Sequence, residues 1–261
     1  MSTTMKGAEV AKAMKETLIR EAEALKEKGI LPCLTIIRVG ARPDDLAYER
    51  GAKKRMELIG IECRVREFPE DISQREFEKE FQKINQDPSV HGILLFHPLP
   101  DHLDEKPVKS IIHPYKDVDC MSNVNIAKVF AGDETGFAPC TAEAVVRMLD
   151  HYGIDPKGRK VTVVGRSMVV GKPLAMLLLD RHGTVTLCHT RTADLEEECR
   201  KAQILVAAAG KAGMITEAMT GQDAVVVDVG INVDENGRLC GDVDFDAVEP
   251  RASYISPVPG G

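Results

Sequence analysis

The order of apolar runs along this 261-residue chain predicts an α/β protein, with two α/β domains set around a cleft. Three observations carry the expectation. Short β-branched stretches alternate with helix-length amphipathic ones, the signature of parallel βαβ units. The alternation pauses between Asp119 and Thr141 and then restarts. An apolar fraction of 43% over this length is enough to fill sizeable cores.

Taken in order, Val10, Met14, Leu18 and Leu25 recur at helical spacing up to Gly29, as in a helix closed by a left-handed glycine. "LPCLTIIRVG" is a short β-branched strand closed by Gly40, and the stretch containing "AYERGAKKRMEL" (47–58) is helical. "IECRVREFPE" reads as a strand, and "SQREFEKEFQKINQD" as a helix with Phe77 and Phe81 on one face. "VHGILLFHPLP" reads as a buried strand stopped by prolines. After Pro139 comes the helix "TAEAVVRMLDHYG", then the strands "KVTVVG", "TVTLCH", "ILVAAAG" and "DAVVVDVGIN". The expected domains are 1–120 and 121–261.

Composition excludes several classes of function. Lys and Arg number 34 against 41 acids, a net charge of -7 that would repel a phosphate backbone, and 4% aromatics with no Trp leave no base-stacking platform. Nucleic acid is therefore not expected as a partner. The first residues carry charges throughout, unlike a signal peptide or a membrane anchor, so a cytoplasmic protein without a membrane partner is expected. The seven cysteines are scattered and contain no C-x-x-C pair, which argues against a disulfide framework and a metal site.

"VTVVGRSMVVGKPLAMLLL" is a strand that turns at Gly165 and enters a helix near Gly171. Glycines allow a tight turn and a close backbone approach, and a helix N-terminus offers unpaired N–H groups to a phosphate. The spacing departs from G-x-G-x-x-G, so an ordinary βα turn stands as the alternative to dinucleotide binding. The following strand ends "CHTRT", where an NAD site usually places an acid. His189, Thr190 and Arg191 stand there instead, with Arg166 in the loop, and such donors favour the 2′-phosphate of NADP over NAD.

"GILLFHPLP", "HPYKDVD", "VVGRSMVVGKP", "DVGIN", "GDVDF" and "YISPVPGG" together resemble the methylenetetrahydrofolate dehydrogenase/methenyltetrahydrofolate cyclohydrolase family, in family order over nearly the whole chain. The resemblance implies a folate-binding catalytic α/β domain followed by an NADP-binding Rossmann-type parallel sheet, folate in the cleft between them, and a homodimer. It implies oxidation of 5,10-methylenetetrahydrofolate with NADP and, in most members, hydrolysis of the methenyl product to 10-formyltetrahydrofolate. Gly165, Arg166, Ser167 and Thr190 match the cofactor loop and 2′-phosphate positions, and Ile231 the segment beside the nicotinamide. Tyr48 matches the tyrosine that stacks near the pterin, and Asp119 the aspartate that bonds its amino-pyrimidine edge; both are the catalytic assignments. Pro257, Pro259 and Gly260 in the last motif are assigned to the substrate side.

Three departures stand out. The family pattern Y-x-x-x-K places a lysine one turn after the tyrosine, and here that position is Ala52. Lys53 and Lys54 follow, but on an ideal helix they point away from the Tyr48 face, as solvated charges. The glutamine that bonds this lysine in the family is Phe96 here, followed by His97. Cys120 also follows Asp119 where a glycine is usual. The expectation is a dehydrogenase with weak or absent cyclohydrolase activity. Two alternatives remain: a bifunctional enzyme with Lys53 or His97 as substitute base, and a folate- or NADP-binding subunit without catalysis.

Overall fold

The computed structural model describes residues 2–261 and divides them into two compact units. One is Lys12–Ala138; the other joins the segment ending at Ala11 to Pro139–Gly261. The division differs from the 120/121 expectation at both ends. Residues up to Ala138 stay with the first sheet because the helix after Asp119 is anchored to it: Asn125 Nδ2 donates to the Asp117 carboxylate at 2.9 Å. The N-terminus joins the other unit through a two-residue strand, too short to show a period.

In Lys12–Ala138 the strands β2 (Cys33–Val39), β3 (Glu62–Phe68) and β4 (Gly92–Leu95) form a parallel sheet in the order β3-β2-β4. One face is apolar. Phe77, Phe81 and Ile84 of α3 (Gln74–Gln86) and Val108 of α4 (Lys106–Ile111) pack on Ile37, Ile93 and Leu95. The serine before α3 caps it, Ser73 Oγ accepting from Glu76 N. The helix α2 (Pro43–Leu58) is different: its buried residues are Asp45 and Glu49, not an apolar stripe. Glu49 meets the buried Arg38 of β2 at 2.7 Å, so the helix is tied to the sheet by charge.

The other unit holds a six-stranded parallel sheet in the order β1-β11-β8-β7-β5-β6. Its strands are β1 (Thr3–Thr4), β5 (Lys160–Val164), β6 (Thr184–Cys188), β7 (Ile204–Ala207), β8 (Val225–Asp228) and β11 (Tyr254–Ile255). A hairpin of β9 (Asn232–Val233) and β10 (Leu239–Cys240) stands apart. The central strands β7 and β8 are buried along their whole length, as continuous apolar runs covered on both faces must be. One covering layer is α6 (Cys140–His151) and α7 (Gly171–Asp180); the other includes α8 (Leu195–Arg200) and α9 (Phe245–Val248). The helices α1 (Gly7–Glu27) and α5 (Asn123–Ala131) complete the chain. From β5 the chain runs outward to β6 and then returns to the other side of β5 as β7. Such a reversal opens a crevice outside the carboxyl ends of the strands, where α/β sheets bind ligands. No helix among the described residues is long and apolar enough to cross a membrane.

Candidate functional site

The reversal between β5 and β7 brings the predicted cofactor loop to a place where backbones nearly touch. Gly165 has φ 131°, and a Cβ there would overlap the Ala208 carbonyl at the end of β7. A Cβ on Gly171 would overlap the Gly165 carbonyl. Only glycine fits either position, which leaves a bare backbone cradle at the start of α7. Ser167 shapes it: its Oγ accepts from Val170 N at 3.1 Å and its carbonyl from Lys172 N at 3.0 Å. Arg166 and Ser167 are exposed on the rim.

At the end of β6, His189 N donates to Thr192 Oγ1 at 2.8 Å and Arg191 N to His189 Nδ1 at 3.0 Å. This tight turn leaves Thr190 and Arg191 exposed beyond the strand. A hydroxyl and a guanidinium in place of an acid fit a 2′-phosphate, and the glycine cradle fits a pyrophosphate.

Ile231 and the Pro257–Gly260 segment meet in one cavity of about 280 Å³, lined also by Thr141, Val145 and Met148 of α6. Ile231 is 78% exposed on the wall of this cavity. Two buried aspartates, Asp228 in the cavity wall and Asp242 bonded to its backbone neighbours, were passed over by sequence reasoning. Burial pushes the Asp228 carboxyl above its ordinary range, although N–H groups of Val243, Asp242 and Gly230 bond it; Asp242 is fully enclosed beside it. Acids closing the apolar run "VVVD" and opening "DVDF" were the signal available.

In the other unit, Tyr48 lies on α2 with its ring edge-on to Phe96, centroids 5.3 Å apart at 76°. Phe96 is buried, and its N–H extends the ladder beyond β4 by donating to Ile37 O at 2.9 Å. Ala52, half-buried, occupies the helix face one turn from Tyr48. Lys53 pairs with Glu49 at 3.3 Å on its own helix. His97 is exposed and pairs with Glu105 at 2.8 Å. Burial opposes ionisation of Glu49, but bonds from Arg38 and Lys53 outweigh it and hold the carboxyl below its ordinary range.

Asp119 is half-buried after the isolated bridge between Ile93 and Asp117. The capping expected of an ordinary aspartate is done here by Asp117, which accepts from Met121 N at 2.9 Å and Ser122 N at 2.8 Å. Cys120 has φ 56°, a left-handed conformation that glycine adopts without strain. Burial, together with Asp117 and Asp119, pushes its thiol up to about 12. No cluster of metal-binding side chains occurs among the described residues.

Two family models match the chain: the catalytic domain of tetrahydrofolate dehydrogenase/cyclohydrolase over residues 5–119, and its NAD(P)-binding domain over 139–261. A Clostridium kluyveri protein described as bifunctional protein FolD is 54% identical over 261 residues, which are 100% of this chain and 92% of that one. Among solved structures, the bifunctional dehydrogenase/cyclohydrolase from Campylobacter jejuni superposes with a TM-score of 0.97 at 39% identity, covering 100% of this chain and 93% of that one. A Trypanosoma brucei methylenetetrahydrofolate dehydrogenase-cyclohydrolase complexed with NADP and an inhibitor has a TM-score of 0.93 at 35% identity, covering 100% and 91%.

Proposed function

The chain belongs to the tetrahydrofolate dehydrogenase/cyclohydrolase family, and on that premise we propose that it is an NADP-dependent methylenetetrahydrofolate dehydrogenase whose cyclohydrolase activity is weak or lost. When bound, NADP supplies a nicotinamide that takes a hydride from the methylene carbon of 5,10-methylenetetrahydrofolate, leaving the methenyl cation. The protein's task in that step is geometric. It must hold carbon against ring and keep water out, and no protein acid or base is consumed. The Gly165–Gly171 cradle would hold the pyrophosphate, Arg166, Thr190 and Arg191 the 2′-phosphate, and Ile231 would flank the nicotinamide. Tyr48 and Asp119 would hold the pterin, with Pro257, Pro259 and Gly260 on the substrate side.

Hydrolysis asks for more. Water attacks the methenyl carbon and loses a proton to a base, and the carbon–nitrogen bond that breaks leaves a nitrogen to be protonated. The observation that carries the reading is the Tyr48 face of α2, where Ala52 stands one turn on and the buried ring of Phe96 packs on the tyrosine. Neither side chain holds or moves a proton. The ion pair of Lys53 with Glu49 on its own helix, and the exposure of His97 next to the buried Phe96, count against either as substitute base. The intact cofactor cradle counts against a non-catalytic subunit.

The test is product analysis at neutral pH with methylenetetrahydrofolate and NADP. Methenyltetrahydrofolate should accumulate, with 10-formyltetrahydrofolate appearing only at the buffer rate. Enzyme-dependent 10-formyltetrahydrofolate would overturn the proposal.

A further inference from the structure

Asp228 lines the cavity together with Ile231, and Asp242 accepts from Asn232, the residue after Ile231; both carboxylates are buried, and hydride transfer consumes neither. Asp242 is 0% exposed, yet both its oxygens are fully used. Its Oδ2 accepts from Ala209 N at 2.6 Å and Gly210 N at 2.9 Å, and its Oδ1 from Lys211 N at 2.8 Å and Asn232 Nδ2 at 2.9 Å. Asp228 in turn holds the backbone on which Asp242 sits, accepting from Asp242 N at 3.0 Å and Val243 N at 2.8 Å. Two glycines leave no slack. A Cβ on Gly230 would overlap the Asp242 carboxylate, and one on Gly241 would overlap that of Asp228.

Three successive N–H groups converging on one point make an anion-binding nest. At residues 209–211 the nest is filled from within by Asp242, so these amides have no donor left for a cofactor phosphate. The phosphates are left to the Gly165–Gly171 cradle across the strand ends. Residues 209–211 are themselves exposed, so apolar burial does not fix them and the carboxylate does.

We propose that Asp242 is the positioning residue for the nicotinamide end of the site. By gathering residues 209–211 and the Asn232 side chain onto one carboxylate, it sets the loop after β7 against the segment carrying Ile231 before the cofactor arrives. This rests on the placement of Ile231 beside the nicotinamide, proposed above.

The experiment compares Asp242→Asn and Asn232→Ala with wild type, by affinity for 2′-phospho-ADP-ribose, affinity for NADP, and dehydrogenase kcat per folded protein. The fragment reports the cradle alone and should bind within twofold of wild type in both variants. The kcat should fall on the order of 10²-fold in Asp242→Asn, since misplacement near 1 Å costs about that much. Loss of one hydrogen bond to a charged group, roughly tenfold, is expected in Asn232→Ala, with weaker NADP binding in both. Unchanged kcat and NADP affinity, or a parallel loss of fragment affinity, would overturn the proposal. Asn232→Ala decides alone if Asp242→Asn does not fold, because it keeps the carboxylate and its three backbone bonds. Ile231→Ala separates the premise: if it leaves kcat unchanged the nicotinamide placement fails, whereas if it lowers kcat and the other two variants do not, only the role of Asp242 fails.

Discussion

Placing a lysine at position 52 tests the Tyr48 face from the opposite direction to a deletion. In Ala52→Lys alone, the new ammonium stands one turn from Tyr48, whose ring neighbour Phe96 offers no hydrogen-bond acceptor. It should swing to solvent and raise methenyltetrahydrofolate hydrolysis less than about tenfold. Adding Phe96→Gln provides an amide to hold it, and a positioned base contributes about 10²–10⁴-fold. The second change is costly. Phe96 is 7% exposed, and truncating a buried phenylalanine to alanine loses about 3–5 kcal/mol. Glutamine restores part of the volume, while the edge-on contact with Tyr48 at 5.3 Å, worth about 0.5–1.5 kcal/mol, disappears. A net loss of about 3 kcal/mol is expected, leaving a domain of ordinary stability folded. A urea titration establishes folding, and the decay of methenyl absorbance then reads hydrolysis. A folded double variant no faster than wild type would refute the reasoning, as would full activity in Ala52→Lys alone.

Three other outcomes follow from the same geometry. Glu49→Gln removes one of the two carboxylates that pair with the buried Arg38 guanidinium, Glu67 being the other, and should lower stability at neutral pH by about 1.5–3 kcal/mol, the worth of a hydrogen bond to a charged group. Because the Glu49 carboxyl is depressed on folding, its contribution is present above the unfolded value and lost as pH falls through the folded one; urea midpoints of wild type should therefore drop more steeply below about pH 4.5 than those of Glu49→Gln. Arg191→Ala should raise KM for NADP roughly tenfold or more, the worth of one charge-assisted bond, and leave KM for NAD unchanged; equal changes would remove Arg191 from 2′-phosphate recognition. In native protein at pH 8, iodoacetamide should label the exposed Cys140 and spare Cys120, whose buried thiol is pushed up to about 12; mass spectrometry reads the pattern.

The larger elements were legible because their signal is local. Phe77 and Phe81 on α3, and the unbroken apolar runs of β7 and β8, announce their period or their burial within a few residues. What escaped depends on partners distant in sequence. The strand β1 has no pattern of its own and exists because Thr3 and Thr4 pair with Tyr254 and Ile255. The burial of Glu49 was hidden for the same reason, since its partner Arg38 comes from another element. At the site, Gly165 and Gly171 could be read from the turn they require, but the contact of Gly165 with the Ala208 carbonyl needs the β5–β7 pairing. Asp242 looked like one more polar residue in a motif. Its four donors come from residues 209–211 and 232, brought together only when the strand ends align.

The central claim is an intact oxidation without the hydrolysis that follows it in most of the family, and a paired assay on wild-type protein tests it most directly. NADP reduction with methylenetetrahydrofolate is followed in one cuvette, and decay of methenyltetrahydrofolate absorbance against a buffer blank in the other. Rapid reduction with decay at the blank rate is the predicted result. Enzyme-accelerated decay would contradict it and would mean that another group has taken over as base beside Ala52 and Phe96.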